Sequence, residues 1–170
     1  IHGDFHFDNI LVNDQKVNSN SFILIDPRGE SSGYDYSYDL GKLWHSSHGK
    51  YDLLHEGLFS IDYDLNKSNN NIYMKFKTDN KFKRLNIINN ALPELISSFD
   101  FFNVDNNWFL KTCFSEAMHF CSLAPFHINN NIDFAIGRYA IGVILINNFI
   151  NHYNDITPSK WNDQYYSVIS

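Results

Sequence analysis

Apolar residues recur along this chain with two different periods, and the change of period divides it into hairpin-bearing and helical parts. Near the start, an apolar run at 9–12, a polar stretch at 13–20 and a second apolar run at 21–25 ending at Asp26 predict a β-hairpin. Between 58 and 65, Phe59, Ile61, Tyr63 and Leu65 alternate with Ser60, Asp62 and Asp64. Ile72, Met74 and Phe76 resume the alternation after an Asn-rich turn, so a second antiparallel hairpin is expected. Leu40, Leu43 and Trp44 share one face of a short helix in which Asp39 is the N-cap or first-turn acid.

From residue 79 onward the spacing is helical. It predicts a helix over 79–101 broken near Pro93, a second over 107–123 ended by Pro125, and a third over 131–153. Leu110, Phe114, Ala117 and Cys121 form one expected core stripe; Ile132, Ile136, Tyr139, Val143, Ile146 and Ile150 form another. The fold class is therefore α+β, mainly helical with short β-hairpins. With no internal repeat and no linker, residues 1–170 read as one domain.

Composition narrows the function. Apolar content of 44% can fill a core, while a net charge of -6 and the lack of a Lys/Arg cluster argue against a nucleic-acid partner. Cys113 and Cys121 lie eight positions apart in one helical segment, too far along its axis for a bridge, and read as buried thiols. The longest apolar run, 139–146, is well short of the about 20 residues a bilayer requires. No signal peptide is recognisable, so a cytoplasmic protein without a membrane partner is expected.

The candidate chemistry is concentrated at the start. His2-Gly3-Asp4-Phe5-His6-Phe7-Asp8-Asn9 places a carboxylate and a carboxamide five positions apart, and the predicted hairpin returns Asp26 beside Asn9. That is the spacing of phosphoryl transfer: one Asp orients and deprotonates the attacking hydroxyl, while an Asn and a second Asp hold Mg²⁺ against nucleotide phosphates. Asn9 and Asp26 are thus expected to face one cation position, with Asp4 toward the acceptor. A Gly-rich loop and a strand Lys that clamp the phosphates would precede such a loop. Neither occurs before Ile1, which predicts a C-terminal catalytic lobe that lacks its N-terminal partner lobe and has little activity alone.

The opening block, the Ile25-Asp26 pair and the segment Tyr38-Asp39-Leu40-Gly41-Lys42-Leu43 together resemble the aminoglycoside phosphotransferase and choline kinase-like family, whose catalytic lobe is protein-kinase-like. The resemblance covers residues 1 to about 50. It implies Asp4 as catalytic base, Asn9 and Asp26 as ligands of Mg²⁺ and contacts of ATP, His2 as a brace of the loop, and Asp39 as its structural partner. It also implies a small-molecule hydroxyl as acceptor. The segment from Tyr34 to Asp52 is similar to lobes fused to sugar nucleotidyltransferases of surface-polysaccharide pathways, which suggests a sugar or sugar phosphate. Pro27-Arg28-Gly29 departs from the family pattern, and Arg28 either touches a phosphate or braces the loop by pairing with Glu30, with bracing the favoured expectation.

Three alternatives stand beside this reading. An aminoglycoside or choline-type kinase is the first, although few clustered acids are available to pair with a polyamine. A metal-dependent hydrolase using His2, Asp4 and His6 on one extended face is the second. It would need further ligands such as His45 and His48, which read instead as polar residues around one helix end. A non-catalytic binding lobe is the third.

Overall fold

In a computed structural model, residues 1–13, 21–28, 35–63, 72–129 and 131–162 are described. The chain is a mixed α+β fold, about 62% helical, with two small antiparallel hairpins. A 3₁₀ turn, Phe7–Asn9, leads into β1 (Ile10–Val12), which pairs with β2 (Phe22–Leu24) in the register Ile10 to Leu24. α1 (Ser37–Ser47) and the one-turn α2 (Tyr51–His55) follow. β3 (Phe59–Tyr63) pairs with β4 (Ile72–Phe76), Phe59 opposite Phe76, so the expected alternation is realised along β3. Leu65 and Asp64 lie outside the described residues.

The helical part comprises α3 (Asn80–Ser97), α4 (Asp100–Asn103), α5 (Trp108–His127) and α6 (Ile132–His152). Asp79 caps α3 by accepting from the Phe82 amide, and Asn131 caps α6 by accepting from the Phe134 amide. Two expected breaks are absent. α3 continues through Pro93 because Leu85, Leu92 and Ile96, on both sides of the proline, are buried on the body. Burying such side chains is worth about 1.5–3 kcal/mol each, enough to offset the roughly 3 kcal/mol an interior proline costs. α5 likewise runs through Pro125, which falls in its last turn.

The core lies where α1 and α2 meet α5 and α6, around Leu43, Trp44, Leu53, Leu54, Cys113, Phe120, Ile141 and Leu145. Close approach of the helices is built on glycine. A Cβ at Gly41 in α1 would fall on Ser115 and 2.9 Å from the Glu116 amide nitrogen; one at Gly142 in α6 would lie 2.8 Å from that of Cys121. α1 buries Leu40, Leu43 and Trp44 as their spacing predicts.

The stripes expected on α5 and α6 are rotated. α5 buries Phe109, Thr112, Cys113, Glu116, Ala117 and Phe120, while Phe114 is exposed and Leu110 and Cys121 are half-buried. α6 buries Ala135, Arg138, Ile141, Gly142 and Leu145, and Ile132, Tyr139 and Ile150 are exposed. The buried faces carry small and charged residues, so a count of large apolar side chains selects the neighbouring face. Both cysteines are free thiols, Cys113 buried and Cys121 half-buried. By length and composition α6 is apolar enough to cross a membrane, which the 139–146 run does not foretell; here it packs along α5 and carries the buried Arg138.

A buried polar knot joins α1, α5 and the chain beyond α6. His48 Nδ1 lies 2.9 Å from Glu116 Oε1, and the Trp161 indole donates to Glu116 Oε2 at 2.8 Å. His48, Glu116 and Trp161 are almost wholly shielded from water. His45 is buried too. The two histidines stand around one helix end as expected, His45 in the last turn of α1 and His48 as its C-cap, and both are buried there, His48 against a carboxylate and His45 with its ring stacked on Tyr51 at 4.3 Å.

Candidate functional site

The opening loop is held in place by α1. The Asp39 carboxylate, in the first turn of that helix, accepts from the His2 amide at 2.5 Å and the Gly3 amide at 2.7 Å. Gly3 adopts φ +81°, and a Cβ there would stand 3.0 Å from the Arg28 Cβ, so the turn requires both the left-handed backbone and the missing side chain. His2 Nδ1 accepts from the Asp4 amide at 3.3 Å. The Asn9 carboxamide donates to the Asp4 carbonyl at 2.9 Å and lies 3.3 Å from His6 Nε2, closing the loop on itself.

The second arm runs antiparallel beside the first. The Ile25 amide donates to the Asn9 carbonyl and the Arg28 amide to the His2 carbonyl, each at 3.0 Å, which extends the β1–β2 ladder past Asn9 and sets Asp26 between the two links. Asn9 is buried at this base, and Asp26 is exposed. Asp26 has φ +56°, a left-handed conformation that costs an L-residue roughly 1–2 kcal/mol, although Asp tolerates it better than most. Neither the Asp26 carboxylate nor Asn9 Oδ1 has a hydrogen-bond partner among the described residues.

Asp4 faces two cations and an imidazole. Its Oδ1 lies 3.0 Å from Lys42 Nζ, and its Oδ2 lies 3.8 Å from His6 Nε2 and 4.0 Å from Arg28 Nε. Burial pushes the Asp4 carboxyl up, but the Lys42 ammonium, with help from His6 and Arg28, more than offsets this and holds it below its usual range. His6 is shifted down, chiefly by burial, with Asp4 pulling the other way. Asp4 is thus a carboxylate at neutral pH.

Lys42 was legible but is not among the residues the motif names. It follows Asp39 by three positions on α1, so both face the opening loop, one toward its amides and the other toward its carboxylate. Arg28 braces the loop through its backbone and through a guanidinium hydrogen bond of 3.4 Å to the Tyr38 hydroxyl; the expected partner Glu30 lies outside the described residues. Tyr36 donates to Asp105 Oδ2 at 2.5 Å, and Tyr38 packs edge-on against His119, whose Nε2 lies 3.0 Å from the Tyr38 carbonyl. Tyr34 lies outside the described residues.

For a metal, the chain offers two hard oxygen donors, Asn9 Oδ1 and the Asp26 carboxylate. Among the described residues no three His, Cys, Asp or Glu side chains converge as a metal set. A pair of oxygens suits Mg²⁺, which keeps several waters and takes phosphate oxygens as further ligands, and does not suit structural Zn²⁺. No family model, no curated protein and no solved structure matches this chain.

Proposed function

We propose that this chain is the catalytic lobe of an ATP- and Mg²⁺-dependent phosphotransferase acting on a small-molecule hydroxyl, with a sugar or sugar phosphate as the acceptor class. The observation that supports the reading is the ladder beyond β1–β2, which pairs Ile25 with Asn9 and so brings Asp26 in at the next residue, while the Asn9 side chain is hydrogen-bonded to the Asp4 carbonyl. Three hydrogen bonds tie the segments that carry Asp4, Asn9 and Asp26 together: Asn9 Nδ2 to the Asp4 carbonyl, the Ile25 amide to the Asn9 carbonyl and the Arg28 amide to the His2 carbonyl.

In this reading Asp4 accepts a hydrogen bond from the acceptor hydroxyl and aims its oxygen at the γ-phosphorus. The new O–P bond forms as the bond to the ADP oxygen breaks, and the hydroxyl proton passes to the Asp4 carboxylate. Because Lys42 holds Asp4 ionised, its contribution is orientation first and proton acceptance late, and general-base help of this kind supplies about 10² to 10⁴-fold. Asn9 and Asp26 would hold Mg²⁺, which supplies charge neutralisation at the phosphates. Asp39 and His2 keep the loop backbone in register. The two free thiols suit a reducing, cytoplasmic compartment.

The hydrolase alternative draws no support, since His2 Nδ1 is engaged with the Asp4 amide and no third metal-type ligand joins His6 and Asp4 among the described residues. Phosphorylation of sugars, amino alcohols and aminoglycosides by the full gene product tests the proposal. Asp4→Asn is expected to lower kcat at least about 10²-fold with little change in nucleotide affinity. Asp26→Ala should instead weaken Mg-ATP binding. Small, equal effects of the two substitutions would reject these roles and favour a binding lobe.

A further inference from the structure

Arg138, near the middle of α6, is fully buried, yet none of its three guanidinium nitrogens has a hydrogen-bond partner among the described residues. A guanidinium keeps its proton in proteins and presents five N–H donors. Burying such a charge without an acceptor is strongly unfavourable. What surrounds it is aromatic: Cζ lies 5.2 Å from the Tyr51 ring centre and 5.6 Å from that of Phe134. Cation–π contacts return only part of that cost and leave the N–H donors unanswered.

No carboxylate among the described residues pairs with Arg138, although Asp4, Asp52 and Asp8 stand close enough to act on its neighbour Tyr51. Arg138 in turn acts on the histidines His45 and His127. His45 is itself buried with both ring nitrogens unpartnered. Tyr51 and Phe134 are only half-buried, so the guanidinium lies one side-chain layer below the surface. Tyr51 also connects this place to the opening loop, its ring 6.0 Å from that of His6, which stands beside Asp4.

We propose that Arg138 anchors an oxyanion, phosphate or carboxylate, carried by the acceptor alcohol whose hydroxyl meets Asp4. The word acceptor rests on the phosphotransferase reading; the anion site does not. A forked guanidinium between two rings recognises a planar pair of oxygens bidentately, with the rings excluding water from the ion pair. Neutral and polycationic alcohols would leave the buried charge unanswered, so the site selects an anion-bearing acceptor.

The test is a calorimetric and thermal-melt titration of the full gene product with inorganic phosphate, D-glucose 1-phosphate, D-glucuronate and D-glucose. Phosphate and glucose 1-phosphate should raise the melting temperature and glucose should not; a response to glucuronate as well would assign carboxylate to the site. Arg138→Met should weaken binding of the responding anions at least about tenfold while melting no lower than the parent without ligand, because it removes an unpaired buried charge. Arg138→Lys, which keeps the charge and loses the fork, should also bind them more weakly, and it carries the test if Arg138→Met does not fold. Absence of any anion response, or a response unchanged in the variants, overturns the proposal. Mg-ATP titration of the same samples separates the two readings. Intact Mg-ATP binding without an anion response rejects the Arg138 site alone, and an Arg138-dependent anion response without Mg-ATP binding rejects phosphotransfer and leaves the site standing.

Discussion

Single residues set the electrostatics of the molecule, and Asp52 gives the clearest consequence for stability. It is buried in the first turn of α2, and burial, with Asp8 and Glu56 adding to it and Lys81 and the Ser46 hydroxyl opposing, raises its carboxyl to about 6. An acid whose folded-state value lies above its unfolded value stabilises most when protonated. Its contribution is complete below about pH 4 and is lost as pH rises through about 6, a change of about 3 kcal/mol at 1.36 kcal/mol per unit. Asp52→Asn should therefore flatten stability between pH 4 and 7, measured by urea denaturation at each pH; an unchanged slope would show that another group titrates there. At this scale the sequence is informative where a residue type has a local partner and uninformative where the environment creates the effect. The tie from Asp39 to the opening loop is seen in its bonds to the His2 and Gly3 amides, while the roles of Asp4, Asn9 and Asp26 remain part of the proposal. Nothing in the pattern around Arg138 distinguishes a buried guanidinium from one that reaches solvent along its stem.

Elements were legible in kind and less so in extent and rotation. Both hairpins and all the long helices follow from the apolar periods, yet the helices run through Pro93 and Pro125 because tertiary burial outweighs a local preference. Pro93→Ala should stabilise the protein by about 1 to 3 kcal/mol, since it restores an interior helix hydrogen bond that the buried flanks already align. A neutral or destabilising result in equilibrium unfolding would mean that the ring itself is packed usefully. On α5 the informative residue is Glu116, a carboxylate on the core side that draws His48 and Trp161 to it. Its presence shifts the buried face away from the apolar stripe. Glu116→Gln removes one partner of a buried pair and should cost about 3 to 5 kcal/mol, read from the same unfolding curves. A loss under about 1 kcal/mol would show that the indole and imidazole are satisfied without the charge.

For the whole molecule, the distribution of apolar surface is uneven in a way that bears on the site. The helices bury their own core, but Ile1, Leu11, Val12, Phe22, Ile23, Leu24 and Ile25 expose between 37% and 65% of their surface. They form one apolar region on and around the β1–β2 hairpin. A two-stranded hairpin with little burial is marginal in water, so this unit should open at far lower free energy than the helical core. Its base is the segment where Ile25 pairs with Asn9 and Asp26 follows, and the left-handed backbone at Asp26 adds a local cost that the hairpin must hold. On the proposed reading the metal ligands are therefore attached to a weakly buried element, and whatever covers the hairpin would also order them. Hydrogen exchange followed by mass spectrometry should show residues 10–12 and 22–25 exchanging at least about 10²-fold faster than the α5 and α6 core, as a difference of about 3 kcal/mol in opening free energy requires. Ile23→Lys, on a position that is 65% exposed, should leave unfolding of the helices unchanged while lowering both binding of a hydrophobic dye and concentration-dependent association. Protection of the hairpin amides equal to that of α5 would mean that the region is already covered in the isolated chain, and the link between its stability and the position of Asp26 would fail.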